Sequence, residues 1–132
     1  MLKAKLVKQL SFEMPDRPGQ LLKVTAALSE AKVNIAAVCA YAMEGKAYFM
    51  LTTDSNARAQ KALAVFDVKT SEEVVISVEM PNKVGELQKI AREIADAEVN
   101  IYYMYGTTTT GKTSTCIFST TDDKKALKAI RK

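Results

Sequence analysis

Alternating apolar residues predict a strand near the start of each half of the chain. Residues 6–13 alternate around Leu6, Leu10 and Phe12, and residues 73–79 show the same alternation. A period of two over about seven residues is typical of a half-buried strand. Each half therefore begins with a predicted strand.

Helical spacing follows each of these strands. Leu21, Val24 and Leu28 recur at i, i+3 and i+7, and residues 87–94 repeat the spacing, as expected for the apolar stripe of an amphipathic helix. The remaining predicted elements, in chain order, are strands at 33–41 and 47–53, a helix at 56–65, strands at 99–105 and 113–120, and a helix at 122–131 with Asp122 as its N-cap.

The two halves are copies of one another. M-P-D-R-P-G-Q-L at 14–21 corresponds to M-P-N-K-V-G-E-L at 80–87, and A-K-V-N-I at 31–35 corresponds to A-E-V-N-I at 97–101. Both comparisons give an offset of 66 residues (80 − 14 and 97 − 31). A repeated segment of about 60–70 residues is one folded unit used twice.

The repeats predict two domains, at residues 1–70 and 71–132. The same offset relates the predicted turns at 44–46 and 110–112, so the register is expected to continue into the hairpin without a gap. Residues 65–69 are a candidate closing strand in the first repeat, and the second repeat has no evident counterpart. The β-α-β-β-α-(β) order predicts an α+β fold of two ferredoxin-like units, each an antiparallel sheet with helices on one face.

Composition limits the partners and the chemistry that the protein is expected to have. The formal net charge is +4, 26% of residues are charged, and no apolar run approaches the ~20 residues of a membrane span. The lysines near the end of the chain are interpreted as a solvated helix face, so neither nucleic acid nor membrane is an expected partner. Cys39 and Cys116 lack metal-ligand spacing, which favours core thiols in a reduced, cytoplasmic protein without a cofactor. Histidine, the usual general base, is absent.

A D/N-x-x-G-x-L segment opens the first helix of each repeat. Asp16 and Asn82 are candidate N-caps, and Gly19 and Gly85 are expected in the first helical turn. One interpretation is structural, with caps and with glycines that allow close strand–helix packing. The other is an anion site, because a bare helix start has free N–H groups and the positive end of the helix dipole.

Asn34 and Asn100 enter the next predicted strand at the same register. Asparagine is disfavoured in strands, and its amide must find partners there. Each Asn either ends the helix or offers a donor and an acceptor to a zwitterionic ligand; the sequence leaves both interpretations open.

A third segment, at residues 106–113, matches the phosphate-loop pattern G-x-x-x-x-G-K-[ST]. The pattern requires a helix directly after it, but the residues that follow favour a strand. Nucleotide binding is therefore not predicted.

These motifs resemble the ACT domain, a small-molecule-sensing module of amino-acid metabolism. The resemblance rests on P-x-x-P-G-x-L at 15–21 and V-N-I at 33–35, with their echoes in the second repeat. It implies that units pair side by side in one eight-stranded sheet and that amino acids bind at the seam. It also implies that Lys32 and Glu98 take the left-handed helix end where family members often carry glycine.

The resemblance also implies the site residues. The second of the two implied sites is favoured, because the anionic Asp16 disfavours a carboxylate ligand in the first. The first site would combine Asp16, Gly19, Gln20 and Leu21 with Asn100 and Ile101, and the second would combine Asn82, Gly85, Glu86 and Leu87 with Asn34 and Ile35.

The resulting hypothesis is a non-enzymatic regulatory protein whose ligand is a small-molecule amino acid. The protein is expected to form a homodimer or a higher homo-oligomer and to act on a possible target enzyme. The alternative is a stand-alone regulatory subunit or interaction module for an amino-acid biosynthetic enzyme, without a free amino-acid ligand. An enzyme is not expected, because no carboxylate–lysine constellation is apparent.

Overall fold

The computed structural model describes residues 2–107 and 111–131, which contain six strands and four α-helices. The strands are Lys3–Pro15 (β1), Ile35–Met43 (β2), Lys46–Thr53 (β3), Ser71–Pro81 (β4), Ile101–Thr107 (β5) and Thr113–Thr120 (β6). The helices are Gln20–Glu30 (α1), Asn56–Leu63 (α2), Glu86–Asp96 (α3) and Asp123–Ile130 (α4). The predicted α+β class and element order are confirmed. None of the described helices is long and apolar enough to cross a membrane.

Lys8–Glu73 forms one compact unit, called the first unit below. Its sheet has the order β2-β3-β1, with antiparallel pairing throughout. Residues 71–73 of β4 lie on the other side of β1. There the Ser11 hydroxyl donates to Glu73 Oε1 (3.1 Å), and the Ser71 hydroxyl donates to the Ser11 carbonyl (3.5 Å).

The predicted closing strand at residues 65–69 is wrong. Ala64–Phe66 forms a short 3-10 helix that ends at Asp67, whose φ is 56°. Residues 71–73 occupy the fourth strand position instead, so the chain uses a longer connection after α2 than the hydrophobic pattern indicated.

Met1–Val7 and Val74–Lys132 form the second unit. Its strands β4, β6 and β5 pair antiparallel in that order, and residues 3–7 of β1 lie beside β4. Ala4 and Leu6 join its hydrophobic core, and Arg131 Nε donates to the Ala4 carbonyl (3.0 Å). The fourth strand that the second repeat lacks is thus supplied by the start of the chain.

Each unit buries its own apolar core between its sheet and its two helices. Alternate strand residues point to the helices, which explains why the two-residue period predicted these strands. Buried core residues of the first unit include Leu10, Phe12, Val24, Leu28, Phe49, Leu51 and Leu63. Those of the second include Ile76, Val78, Ile90, Ile94, Phe118 and Ile130.

The repeat register shifts by one residue in the β5–β6 hairpin. Pro15 is opposite Lys46 in the first unit, whereas Pro81 is opposite Thr113 in the second. The offset is 66 for the prolines and 67 for their partners (113 − 46). The expected gapless register is therefore wrong beyond β5, because the second hairpin has one residue more.

The left-handed helix ends implied by the resemblance are confirmed. Lys32 and Glu98 have φ values of 59° and 58° and lie two residues after the last residues of α1 and α3. The amide of Lys32 donates to the Ser29 carbonyl (3.0 Å), and the amide of Glu98 donates to the Ala95 carbonyl (2.9 Å). These bonds close each helix end, and a side chain in this conformation costs roughly 1–2 kcal/mol.

Replacing Lys32 by glycine is therefore expected to stabilise the protein. Relief of the left-handed strain outweighs the added flexibility of the unfolded chain by roughly 0.5–1 kcal/mol. Urea unfolding followed by circular dichroism measures the free energy of unfolding. Lys32→Ala is the control: it keeps the Cβ, so its stability should match the wild type, and a stabilised K32A would contradict the backbone explanation.

Candidate ligand site

The first helix of each repeat begins at a glycine in the left-handed region. Gly19 and Gly85 are the N-cap residues of α1 and α3, with φ values of 86° and 89°. Neither helix start has a side-chain cap. The predicted N-cap role of Asp16 and Asn82 is therefore wrong, as is the placement of the glycines within the first turn.

The second helix of each repeat is capped in the ordinary way. Ser55 Oγ accepts from the Arg58 amide (3.3 Å) at α2, and Asp122 Oδ1 accepts from the Lys125 amide (3.1 Å) at α4. The predicted cap at Asp122 is confirmed. Of the four described α-helices, only α1 and α3, which follow the repeated P-x-x-x-G segment, begin without a side-chain cap.

Open space surrounds both glycines. A Cβ placed on Gly19 or Gly85 would meet no atom within 4 Å. Close strand–helix packing therefore does not explain these glycines. Their backbone conformation does, because a positive φ is readily adopted only by glycine.

Asp16 and Asn82 anchor the loop before the helix to the neighbouring hairpin. The Asp16 amide donates to the Gly45 carbonyl (3.0 Å), and the Asn82 amide donates to the Lys112 carbonyl (2.8 Å). Asn82 Nδ2 also donates to the Gly111 carbonyl (3.3 Å). These contacts hold the helix starts beside the turn ends of the sheets.

The leucines in the first turns of α1 and α3 are largely exposed. Leu21 and Leu22 are 53% and 71% exposed, and Leu87 is 45% exposed. The helical spacing assigned Leu21 and Leu87 to the core-facing stripe, but they lie outside the core. They are available to contact the apolar part of a ligand.

The position before each of these leucines differs between the repeats. Gln20 is buried, and its Nε2 donates to the Pro15 carbonyl (2.7 Å). Glu86 forms an ion pair with Lys89 (2.9 Å). Aligning the two repeats shows that Gln20 corresponds to Glu86. Only the structure shows how far each side chain is buried and which group it contacts.

Asn34 and Asn100 lie one residue before β2 and β5, and their backbone hydrogen bonds hold the start of each strand in place. The Asn34 amide donates to Asp54 Oδ1 (2.9 Å), and its carbonyl accepts from the Asp54 amide (3.1 Å). The Asn100 amide and carbonyl make the corresponding bonds with Thr121 (3.1 and 2.9 Å). Both side chains are exposed, and neither amide group bonds to another described residue.

The residues that follow are the apolar partners of this motif. Ile35 and Ile101 are half-buried and pack against the cores of their own units. Each Asn is therefore followed by an isoleucine that is packed in place at the start of its strand.

The two motifs of one repeat lie at opposite ends of its sheet. Pro15, directly before the α1 loop, pairs with Lys46 at one end of β3, while Ile35 pairs with Thr53 at the other. Seven steps of about 3.3 Å separate those ends by about 23 Å. The second unit repeats this arrangement. A single amino acid cannot span that distance, so a site using both motifs must take them from two copies of the repeat, in one chain or in two chains.

Other candidate chemistry is not supported. Thr113 begins β6, so no helix follows the phosphate-loop match; its residues 108–110 lie outside the described part of the chain. Among the described residues, no group of His, Cys, Asp or Glu is arranged to hold a metal ion. Cys39 and Cys116 are free thiols, and burial raises the pKa of Cys116, which disfavours its reactive thiolate.

Comparison with known proteins identifies the family and the fold. The family model described as "ACT domain" matches residues 8–65 and 74–132. No curated protein sequence matches the chain. Protein BT0572 from Bacteroides thetaiotaomicron is similar in structure, with a TM-score of 0.88 and 23% identity over 97% of this chain and 88% of that one.

The regulatory subunits of two bacterial aspartate kinases are also similar. The Thermus thermophilus protein, in its ligand-free form, gives a TM-score of 0.65 and 18% identity, covering 97% of this chain and 94% of that one. The Thermus flavus protein gives 0.65 and 20%, covering 98% and 94%. At these identities the likeness is one of fold.

The Asn side chains are expected to contribute nothing to stability. Asn34→Ala and Asn100→Ala should change the free energy of unfolding by less than about 0.5 kcal/mol, because only the backbone of each residue is hydrogen-bonded. Asp54→Ala, which removes an acceptor, should destabilise by about 0.5–1.5 kcal/mol. Urea unfolding of the three variants tests this, and a strongly destabilised N34A would restore the structural interpretation of the asparagines.

Proposed function

Because this chain belongs to the ACT domain family, we propose that it is a non-enzymatic regulator that binds a free amino acid. The observation that carries the proposal is the selective absence of caps. The starts of α2 and α4 are capped by side chains. The starts of α1 and α3 follow glycines, which offer no side-chain cap and have open space beside them.

The α-carboxylate is the group that suits these helix starts. The first N–H groups of a helix have no partners within it, and the helix dipole adds partial positive charge at the same place. In α1 these donors include the amides of Leu21 and Leu22. A carboxylate here would replace the missing cap.

The remaining candidate residues supply the rest of the recognition. Asn34 and Asn100 offer amides that the fold does not use, and a zwitterion can bond to both ends of such an amide. The exposed leucines provide apolar contacts for the ligand side chain. The proposed residues remain Asp16, Gly19, Gln20, Leu21, Asn34, Ile35, Asn82, Gly85, Glu86, Leu87, Asn100 and Ile101.

We include a homodimer or higher homo-oligomer in the proposal. β2 is an outer strand of the first unit and contains no charged residue among its nine. Val38, Tyr41 and Met43 on this strand are 45–54% exposed. An uncharged apolar outer strand readily pairs with another strand, and a second chain would bring further copies of both ligand motifs.

Regulation then follows from differential affinity. A ligand that bridges motifs from different repeats binds more tightly to the arrangement that brings them together, and shifts the population toward it. A target enzyme would respond to that change.

A second candidate is a regulatory subunit that acts without a free amino acid. The exposed apolar residues of β2 support it, since the same surface suits a partner protein. This candidate predicts that ligand screens of the isolated protein stay flat.

A thermal-shift screen against the standard amino acids at millimolar concentration tests the proposal. A ligand at 100 times its Kd adds about 2.7 kcal/mol, which for a protein of this size raises Tm by several degrees. A rise confined to one class of side chain is the expected result. No rise with any amino acid would contradict amino-acid sensing and favour the second candidate.

Paired asparagine variants provide the control. The double variant Asn34→Ala, Asn100→Ala should keep the ligand-free Tm and lose the ligand-induced rise. Asn56→Ala should behave in the opposite way, because Asn56 Nδ2 bonds to the Lys8 carbonyl and to Glu72 within the fold. If both variants kept the ligand-induced rise, the Asn motif would be excluded from the site.

Val38→Lys tests the proposed strand pairing. Charge on an outer strand disfavours pairing with another strand, while Val38 is exposed enough for the fold to tolerate the change. Light scattering after size exclusion should show an oligomer for the wild type and a smaller species for V38K. Val65→Lys, at an exposed valine outside the strands, should leave the mass unchanged.

A further inference from the structure

The starts of α1 and α3 have nearly the same backbone conformation but differ in the charge of their first side chain. Both begin at a left-handed glycine, and a leucine and a lysine follow at equivalent positions. The first helical residue is the neutral Gln20 in α1 and the carboxylate Glu86 in α3.

Gln20 carries a buried acceptor without a donor. The residue is 6% exposed, and its side-chain Nε2 donates to the Pro15 carbonyl (2.7 Å). A carbonyl only accepts, so this bond fixes the orientation of the amide and identifies the other end as Oε1. Oε1 is buried and bonds to none of the described residues. A buried acceptor in this state is unfavourable unless a water molecule or a ligand supplies a donor.

Glu86 places the protein's own carboxylate at the start of α3. Its side chain is 17% exposed and pairs with Lys89 Nζ at 2.9 Å. A carboxylate in the first turn interacts favourably with the helix dipole and repels a second carboxylate. The Pro81 carbonyl accepts from the Lys83 amide (3.0 Å), so this loop needs no side-chain donor.

We infer that, of the two helix starts, only that of α1 binds the amino acid, and that Glu86 closes the start of α3. The inference rests on the proposed function. The ligand carboxylate accepts from the amides of Leu21 and Leu22, and its ammonium donates to Gln20 Oε1. Each chain therefore binds one ligand.

This assignment reverses the preference drawn from the sequence. Asp16 disfavoured the first site there, but the Asp16 side chain is exposed and precedes the helix by four residues. Its charge is screened by solvent, whereas Glu86 lies within the helix and is mostly buried. Residues 15–19, directly before Gln20, are all exposed. The inference requires this loop to shift when the ligand ammonium reaches the buried Gln20 Oε1.

Residue-resolved NMR tests the assignment without any variant. The ¹⁵N-labelled protein is titrated with each standard amino acid, and the amide shifts of Leu21 and Leu22 are compared with those of Leu87 and Gln88. Saturable shifts at α1 alone support the inference. Shifts at α3, alone or together with α1, overturn it and leave the proposed function intact. No shift with any amino acid overturns both.

One variant is expected to lose ligand binding at α1, and another is expected to gain ligand binding at α3. Gln20→Met keeps the volume and removes both the Oε1 acceptor and the Nε2 donor to the Pro15 carbonyl, so affinity at α1 should fall at least about tenfold while the melting curve shows a folded protein. Glu86→Gln should create a second site, with new shifts at Leu87 and Gln88 and a stoichiometry of two by calorimetry. If Q20M binds as the wild type does, or if E86Q still binds one ligand, the assignment is wrong.

Discussion

The positive φ of Gly19 and Gly85 is the constraint on which both units depend. It turns the chain sharply from a strand into a helix, so that α1 and α3 pack back on their sheets with Val24, Leu28, Ile90 and Ile94 in the cores. With glycine at the N-cap position, neither helix start has a side-chain cap. One backbone requirement thus sets the packing of the helix and creates the candidate anion site.

The fold places the two parts of the candidate site at opposite ends of each sheet. The helix starts are tied to the hairpin turns, and the asparagines are tied to the residues before α2 and α4. In the proposed function, a ligand that uses both motifs must therefore take them from two copies of the repeat. A regulator gains from such a design, because a ligand that needs two repeats senses their arrangement.

Repetition at the level of the backbone permits divergence at the level of chemistry. The two units share element order, left-handed helix ends and uncapped helix starts. They differ at Gln20 and Glu86 and by one residue in the second hairpin. A duplicated unit keeps the residues that shape the backbone, and the side chains around the site are free to differ in charge.

The sequence by itself determined the repeat, the α+β class, the element order and the cap at Asp122, because these follow from local periodicity and backbone preference. It also indicated Gly19, Gly85, Asn34 and Asn100 as candidate site residues, because each motif occurs at the same place in both repeats. It could not show that α1 lacks a side-chain cap, how residues 71–73 and 3–7 complete the sheet of each unit, or that Leu21 is exposed while Gln20 is buried. Those features depend on contacts between segments far apart in the chain, and only the tertiary structure brings them together.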